Sequence, residues 1–166
     1  MRSPTLSAGP DDTGCEDRVS DVVAAVIAGA RRRAVRDGDA QIDTAHLLHG
    51  LLESDPDVRD AFPGGSTQVI RVLGYLVQRT IGYGLRWSGG VEDSGAPGSG
   101  MAGWSPAAAA ALDAAVRRAV SRGVCRADGL DLLTAFLRDR ECRAMEVLRR
   151  AGVAVTPLVT ALEGGI

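Results

Sequence analysis

Three side chains that could hold a metal ion are evenly spaced along one short stretch of the sequence: Asp43, His46 and His49. Residues three apart lie on the same face of a helix, and zinc accepts both imidazole and carboxylate ligands. No further ligand can be identified nearby, and a structural zinc site needs four. We therefore favour a structural role for both histidines, and we expect no metal and no cofactor.

The sequence gives little support for a catalytic nucleophile. Cys125 lies close to Arg122 and Arg126, and nearby positive charge favours a reactive thiolate. The other cysteines are Cys15 and Cys142, and an odd number without metal-like spacing is typical of reduced structural thiols. The sequence has no G-x-S-x-G segment, and the absence of lysine excludes the usual P-loop. We expect no enzymatic activity.

The composition indicates a single domain without strong charge. A chain of 166 residues can bury a sizeable core, and with only 4% aromatic residues alanine, valine and leucine must fill it. The 19 basic residues are all arginine, and 21 acidic residues leave a net charge of −2, which favours neither nucleic acid nor an anionic membrane as partner. Without a signal peptide or a stretch that could span a bilayer, we expect a cytoplasmic protein, and we take it to be a monomer.

The elements that must position these residues occur twice. Residues Ala34–Leu52 match Ala119–Leu137 without a gap, at an offset of 85 positions (119 − 34 = 85). The matched positions include helix caps, a helix-ending glycine and an apolar stripe. A helical unit that cannot bury its own apolar face stacks on its copy. We predict an all-α fold of eight helices, arranged as two four-helix repeats related by a pseudo-two-fold axis.

Local signals place the segments of this fold. We predict a flexible tail at 1–18, then one domain at 19–166 made of repeat one (19–82), a Gly/Ser/Pro-rich linker (83–103) and repeat two (104–166). Residues that favour helix starts precede the predicted helices: Ser20, Asp43 or Thr44, Asp55, Ser66, Ser105, Asp128 and Thr156. Apolar residues at helical spacing predict the inward faces, among them Val22, Val23, Val26, Leu47, Leu48, Leu51, Leu52, Val69, Ile70, Leu73, Leu76 and Val77.

In their order and spacing, these motifs resemble the Clp N-terminal repeat domain of the ClpA, ClpC and ClpB unfoldases. The stretch DTAHLLHGL at 43–51 resembles the family's GTEHILLGL, and Trp104-Ser105-Pro106 resembles its opening motif. Gly38 and Gly123 match the family's first turn, and the resemblance covers about residues 19–164. It implies a compact eight-helix domain that binds proteins or peptides and catalyses nothing. Because no ATPase module follows, we expect a stand-alone version.

The resemblance also implies a difference in ligand recognition. ClpC-type members recognise phosphorylated arginine through the glutamate of both GTEH stretches. The matching positions here are Ala45 and Leu130, and neither side chain can accept a hydrogen bond. We predict weak or absent phosphoarginine binding at these positions. Val19 stands where the first repeat usually has an aromatic residue, which removes one half of a symmetric groove.

A groove where the first helices of the two repeats meet is the ligand site of the family members that bind cyclic-peptide antibiotics. Leu112 and Val116 could equally be core residues, whereas Trp104 is a large aromatic at a loop-to-helix junction, which is typical of a peptide anchor. The resemblance places six residues of this chain at the groove: Ile27, Met101, Trp104, Leu112, Asp113 and Val116.

Two classes of function stay open at this stage. The first is a non-catalytic module of the Clp unfoldase–protease system: an adaptor, a substrate-capture protein or a decoy for ligands of the unfoldase. Its partners would be the Clp unfoldase, substrates or adaptors of that unfoldase, or cyclic-peptide antibiotics. The alternative is a helical DNA-binding transcriptional regulator, which the arginine-rich helix ends and the spacing from Asp37 to Ala45 would suit. The acidic residues oppose it, because phosphate binding requires a basic face.

Overall fold

A computed structural model describes residues 18–39, 41–80 and 103–164. Within these ranges the chain forms eight helices and no strands, which confirms the all-α prediction. The predicted tail, except for its last residue, and most of the predicted linker lie outside the described residues, so the domain boundaries stay predictions. The helices are α1 (Asp21–Asp37), α2 (Thr44–Ser54), α3 (Pro56–Ala61), α4 (Gly65–Thr80), α5 (Pro106–Ser121), α6 (Gly129–Arg138), α7 (Arg143–Arg150) and α8 (Val155–Gly164).

The first helix of each repeat begins with the predicted serine cap. The Ser20 hydroxyl accepts a hydrogen bond from the Val23 amide at 3.2 Å, and the Ser105 hydroxyl accepts one from the Ala108 amide at 3.0 Å. Each bond satisfies an amide that a helix start leaves without a partner. Pro106 follows Ser105 at the first helical position, where its missing N–H is not needed.

The same two helices end in the same way. Gly38 and Gly123 follow α1 and α5 with φ angles of 71° and 81°, a left-handed conformation that glycine adopts without a Cβ clash. The next amide turns back to the helix in both cases. Asp39 N donates to Ala34 O and Val124 N donates to Ala119 O, each at 2.9 Å, and every residue of one pair lies 85 positions from its counterpart.

Two short backbone bridges join the repeats. Val19 pairs with Ala127, and Ile42 pairs with Trp104. The offset of 85 positions carries Val19 to Trp104 and Ile42 to Ala127, so each bridge is the image of the other with the repeats exchanged. The hydrogen bonds agree: Ser20 N donates to Ala127 O at 2.8 Å, and the equivalent Ser105 N donates to Ile42 O at 2.9 Å. Such reciprocal contacts are the pattern of a two-fold interface.

The second helix of each repeat lies at the centre. Helices α2 and α6 contact each other; α2 also packs on α7, and α6 correspondingly packs on α3. Their apolar residues are fully enclosed, which explains why short helices are stable here: burial of a large aliphatic side chain contributes about 1.5–3 kcal/mol. Fully buried residues of this centre are Leu47, Leu48, Leu51, Leu52, Leu132, Leu133 and Phe136.

Some details of the predicted helices are wrong. Val22, Ile70 and Val77 were expected to face the core, but they are 38%, 67% and 48% exposed. Adjacent apolar residues such as Val22 and Val23 cannot both lie at the centre of one helix face, and periodicity alone does not say which one does. Helices α4 and α8 begin at Gly65 and Val155, one residue before the predicted caps.

No helix in the described part of the chain combines the length and apolar character needed to cross a bilayer.

Candidate functional site

Trp104 lies at the junction between the two repeats. Its backbone is held by the bridge to Ile42, since Ile42 N donates to Gly103 O at 2.7 Å. The side chain is only 4% exposed, and the guanidinium carbon of Arg31 on α1 lies 5.5 Å from the centroid of the indole ring. A cation over the face of a buried indole ring is attracted by about 2 kcal/mol or more. Arg31 therefore covers the tryptophan and helps to hold it.

Two buried polar atoms beside this bridge have no hydrogen-bond partner within the described part of the chain. They are Nε1 of Trp104, a donor, and Oε1 of Gln41, an acceptor on the residue before Ile42. An unsatisfied buried polar group costs about 1–3 kcal/mol, so such atoms are uncommon. Both atoms are enclosed, so a ligand that carries an acceptor and a donor reaches them only after the side chains that cover them have moved.

The other predicted groove residues divide into core and surface. Ile27, Leu112 and Val116 are buried, at 2%, 1% and 7% exposure. Asp113 is exposed on α5 and pairs with Arg117 one turn later. Met101 lies outside the described residues. Three of the six positions are therefore core residues, and Asp113 is a surface residue that is already in an ion pair.

His46 is a helix cap. Its Nδ1 accepts a hydrogen bond from Asp43 N at 2.9 Å, and the Asp43 carboxylate accepts one from His46 N at 2.9 Å. Because Nδ1 is the acceptor, Nε2 carries the proton and donates to the Asp39 carboxylate at 2.8 Å. Asp37, Asp39 and His46 place possible ligand atoms within 4.8 Å of one another. A metal would have to displace the Nε2 proton, so the geometry favours capping, as the sequence suggested.

Asp131 occupies the equivalent position in repeat two, 85 residues after His46. Its carboxylate accepts a hydrogen bond from Asp128 N at 3.0 Å and caps α6 in the same way. The outer partners of the two caps differ in charge, however. His46 contacts the carboxylate of Asp39, whereas the guanidinium groups of Arg122 and Arg118 lie 2.5 and 3.3 Å from Asp131. The repeat relation could have identified this pair of caps, but the difference in residue type concealed it.

His49 faces α1 and not a metal site. Its Nε2 lies 3.2 Å from the Glu53 carboxylate, which also pairs with Arg33. Burial, followed by the positive charge of Arg33, lowers the pKa of His49 from 6.5 to about 4, although Glu53 acts in the opposite direction. His49 is therefore neutral at pH 7, and Glu53, which it contacts, links α2 to Arg33 of α1.

Cys125 is exposed, and the arginines beside it in sequence have other partners. Arg122 binds Asp131, and Arg126 lies 3.6 Å from Asp21. Cys142 is buried, with its sulfur 3.6 Å from the Phe136 carbonyl oxygen. Both arginines beside Cys125 therefore pair with carboxylates, and Cys142 contacts a backbone carbonyl in the core.

The two positions that correspond to phosphoarginine-binding glutamates differ in their surroundings. Ala45 is completely buried, whereas Leu130 is partly exposed and lines a cleft of about 380 Å³. The charged residues of that cleft are Asp57, Asp60, Asp128, Asp131, Arg118 and Arg122, and Asp131 is paired with both arginines. Neither position offers a side-chain acceptor for a guanidinium.

Sequence reasoning missed the polar contacts that join the repeats at α7. Arg143 Nη1 lies 2.9 Å from the carboxylate of Asp43, a residue that is only 1% exposed. Thr44 Oγ1 accepts a hydrogen bond from Ala144 N at 2.9 Å and so caps α7 from the other repeat. These partners are 100 residues apart, and no sequence signal connects them.

The fold built by these contacts is that of a Clp N-terminal domain. Among solved structures the chain is similar to the N-terminal domain of ClpD, a caseinolytic protease associated chaperone from Arabidopsis thaliana, with a TM-score of 0.65, 17% identity, and 90% of this chain and 94% of that one covered. It is also similar to the Hsp104 N-terminal domain from Candida albicans, with a TM-score of 0.59, 15% identity, and 87% and 88% covered. No family model matches the sequence. No curated protein matches it either.

Proposed function

We propose that this chain is a non-catalytic module of a Clp unfoldase–protease system that binds a polypeptide segment beside Trp104, as a cytoplasmic, monomeric adaptor, substrate-capture protein or decoy. The observation that carries the proposal is the pair of unsatisfied buried atoms, Trp104 Nε1 and Gln41 Oε1. Every residue of a peptide other than proline offers one backbone acceptor and one donor. A single bound segment can therefore satisfy both atoms.

Arg31 controls access to this groove in the proposed complex. It lies over the indole ring, so an incoming side chain that contacts the ring face has to displace it. The ligand then contacts the face of Trp104. Tryptophan is one of the residues that most often dominate the energy of such contacts.

The structural neighbours agree with this class of function. ClpD is described as a chaperone associated with a caseinolytic protease, and the matched portion is its N-terminal domain. We extend this association to the present chain as part of the proposal. Cyclic-peptide antibiotics present the same backbone groups as a protein segment and would occupy the same groove.

The DNA-binding alternative is less well supported, because the arginines serve the fold. Arg33 pairs with Glu53, Arg122 with Asp131, and Arg143 with Asp43. Arginines that neutralise nearby carboxylates contribute little to the phosphate contacts on which DNA affinity depends. An enzyme is also disfavoured, since the histidines and Cys142 in the described residues are engaged in structural hydrogen bonds.

Affinity capture from cells of the source organism, followed by quantitative mass spectrometry, tests the proposal. We expect the wild-type chain to enrich Clp unfoldase or protease subunits, and Trp104→Ala to reduce that enrichment at least about tenfold, the effect of losing an energetic anchor. Gln41→Leu removes the Oε1 acceptor with little change in side-chain volume, and it should also reduce the enrichment. Val35→Thr alters a valine that is 81% exposed elsewhere on α1, and serves as the matched control.

Circular dichroism must show that each variant keeps its helical content. Capture of Clp subunits that is equal for wild type, Trp104→Ala and Gln41→Leu would refute the groove. Absence of Clp subunits, together with DNA binding that falls steeply with salt, would favour the alternative function.

A further inference from the structure

Helix α4 carries an apolar stripe on its outer face. Ile70, Leu73 and Val77 follow one another at spacings of three and four residues, which places them on one side of the helix. Ile70 is 67% exposed, Val77 is 48% exposed and Leu73 is partly buried. Single exposed aliphatic residues are ordinary, but a continuous stripe is typical of an interaction surface.

The stripe continues into a cleft of about 710 Å³. The cleft lies between α4 and the region where α2 and α3 end, and its apolar lining includes Leu52, Phe62 and Val69, together with Ile70 and Leu73 from the stripe. Cavities of this size accept several side chains. We call the stripe and the cleft together the α4 groove.

Repeat two shows that the fold does not require this groove to be apolar. The fourth helix of each repeat is related by 90 positions, because Ser66 corresponds to Thr156 (156 − 66 = 90). Ile70 and Leu73 then correspond to Thr160 and Glu163, which are both exposed on α8. Leu73 still packs against the core, but the equivalent helix carries a polar residue at the position of the exposed Ile70, so packing does not require an apolar side chain there.

One border of the α4 groove is negatively charged. Asp57 and Asp60 lie one turn apart on α3, both are exposed, and neither forms an ion pair within the described residues. Asp60 lines the cleft itself, as does Arg59, and Asp57 lies one turn away from Asp60 in the cleft that Leu130 lines. Arg59 is engaged internally, because its Nη1 donates to the carbonyl oxygens of Leu52 and Glu53 at 3.0 and 3.1 Å.

The negative charge of this border affects the pKa of a neighbouring carboxyl group. The pKa of Asp55 is raised, chiefly by burial and to a smaller extent by the negative charges of Asp57 and Asp128. A cation placed at this border would relieve the repulsion.

We propose that the α4 groove binds an amphipathic helix of a partner protein, with apolar side chains in the cleft and arginine or lysine side chains against Asp57 and Asp60. Helix-in-groove recognition of this kind uses apolar anchors at spacings of three and four residues, the spacing that the stripe itself displays. The surface differs from the groove beside Trp104, and the proposal does not depend on that groove.

A fluorescein-labelled 16-residue helical peptide is the probe, with leucines along one face and arginines beside them; a matched peptide has glutamate in place of arginine. Fluorescence anisotropy should show saturable binding of the basic peptide that weakens as salt increases. Ile70→Thr with Leu73→Gln, which keeps the net charge, should weaken it at least about tenfold. Asp57→Asn with Asp60→Asn should weaken it about threefold or more and reduce its salt dependence. Val35→Thr and Trp104→Ala should leave it unchanged.

Several results would overturn the inference. These are no binding of the basic peptide, equal binding of the acidic peptide, and an equal loss of affinity in Val35→Thr. If Trp104→Ala abolishes binding while the double variant at Ile70 and Leu73 does not, the probe occupies the other groove. A dimer that this double variant dissociates would identify a second copy of the chain as the occupant.

Discussion

Single side chains show how one position can keep its role while its chemistry changes. His46 and Asp131 are equivalent by the repeat relation, and both accept the amide of the residue that caps their helix. His46 then donates to Asp39, whereas Asp131 accepts from Arg122. The capping role requires only an acceptor at the third helical position. The outer partner therefore changed together with the residue type.

His49 makes stability depend on pH. Its pKa falls from 6.5 in the unfolded chain to about 4 in the folded one, so the unfolded chain binds the proton more readily between these values. The stabilising contribution is complete above pH 6.5 and is lost as the pH falls towards 4. Arg33 and Arg36 of α1 disfavour the protonated form, and Glu53 favours it.

We expect the free energy of unfolding to decrease by roughly 2–3 kcal/mol over this range because of His49, at about 1.4 kcal/mol for each unit of pKa. Urea unfolding at pH 7, 5.5 and 4.5 measures the decrease. His49→Leu should flatten the profile between pH 6.5 and 4. A profile that is unchanged in this variant would show that other groups cause the dependence.

Ala45 and Leu130 lead to a prediction about phosphoarginine binding. Neither can accept a hydrogen bond from a guanidinium, and Ala45 is inaccessible. Isothermal titration calorimetry with free phosphoarginine should therefore detect no tight binding. Tight, stoichiometric binding would mean that other residues have replaced the missing glutamates.

For the helices, the sequence predicted the structure correctly where the interacting residues are close together in sequence. Ser20, Asp43, Ser105 and Asp128 cap helices as predicted, because a side-chain acceptor and the amides that it serves are within three residues of each other. The inward face of α4 was predicted less well. Ile70 and Val77 fit an apolar pattern but point to solvent, because the pattern does not distinguish packing on the core from binding to something else.

Gly129 shows how closely α6 approaches the other repeat. A Cβ atom at this position would lie 2.0 Å from Asp55 Oδ2, and Asp55 is buried while its Oδ1 accepts the Asp57 amide at 3.0 Å to cap α3. Gly129→Ala must displace Asp55 or move α6. Loss of the cap alone costs about 1 kcal/mol.

We expect Gly129→Ala to lower the free energy of unfolding by about 1–3 kcal/mol in urea titrations. Gly74→Ala is the matched control, because Gly74 lies in the exposed part of α4 and nothing lies within 4 Å of an added Cβ. That substitution should stabilise the chain by about 0.5–1 kcal/mol, since alanine favours a helix. Equal effects of the two substitutions would contradict the proposed close approach.

For the molecule as a whole, the two repeats form one unit through exchanged contacts. The Val19–Ala127 and Ile42–Trp104 bridges are images of each other, and the contacts of Asp43 and Thr44 with α7 join the repeats on another side. The internal repeat predicted that such an interface exists. Its particular contacts could not be predicted, because partners 100 residues apart meet only after both repeats have folded.

The predicted binding residues illustrate the same limit of local patterns. The resemblance selected Trp104 as an anchor, but the sequence did not reveal that Arg31 covers it or that Gln41 leaves an unsatisfied acceptor beside it. Both features depend on how α1 and the segment before α2 lie against the second repeat. They belong to the assembled fold and not to any one stretch of sequence.

Binding of an unfolded polypeptide tests the central claim most directly, and fluorescein-labelled casein is a suitable probe. Fluorescence anisotropy should show saturable binding to the wild-type chain in the micromolar range, and Trp104→Ala should weaken it at least about tenfold, which corresponds to about 1.4 kcal/mol. Val35→Thr should bind as the wild type does. No saturable binding, or unchanged binding by a Trp104→Ala variant that keeps its helical content, would contradict the claim that a polypeptide segment binds beside Trp104.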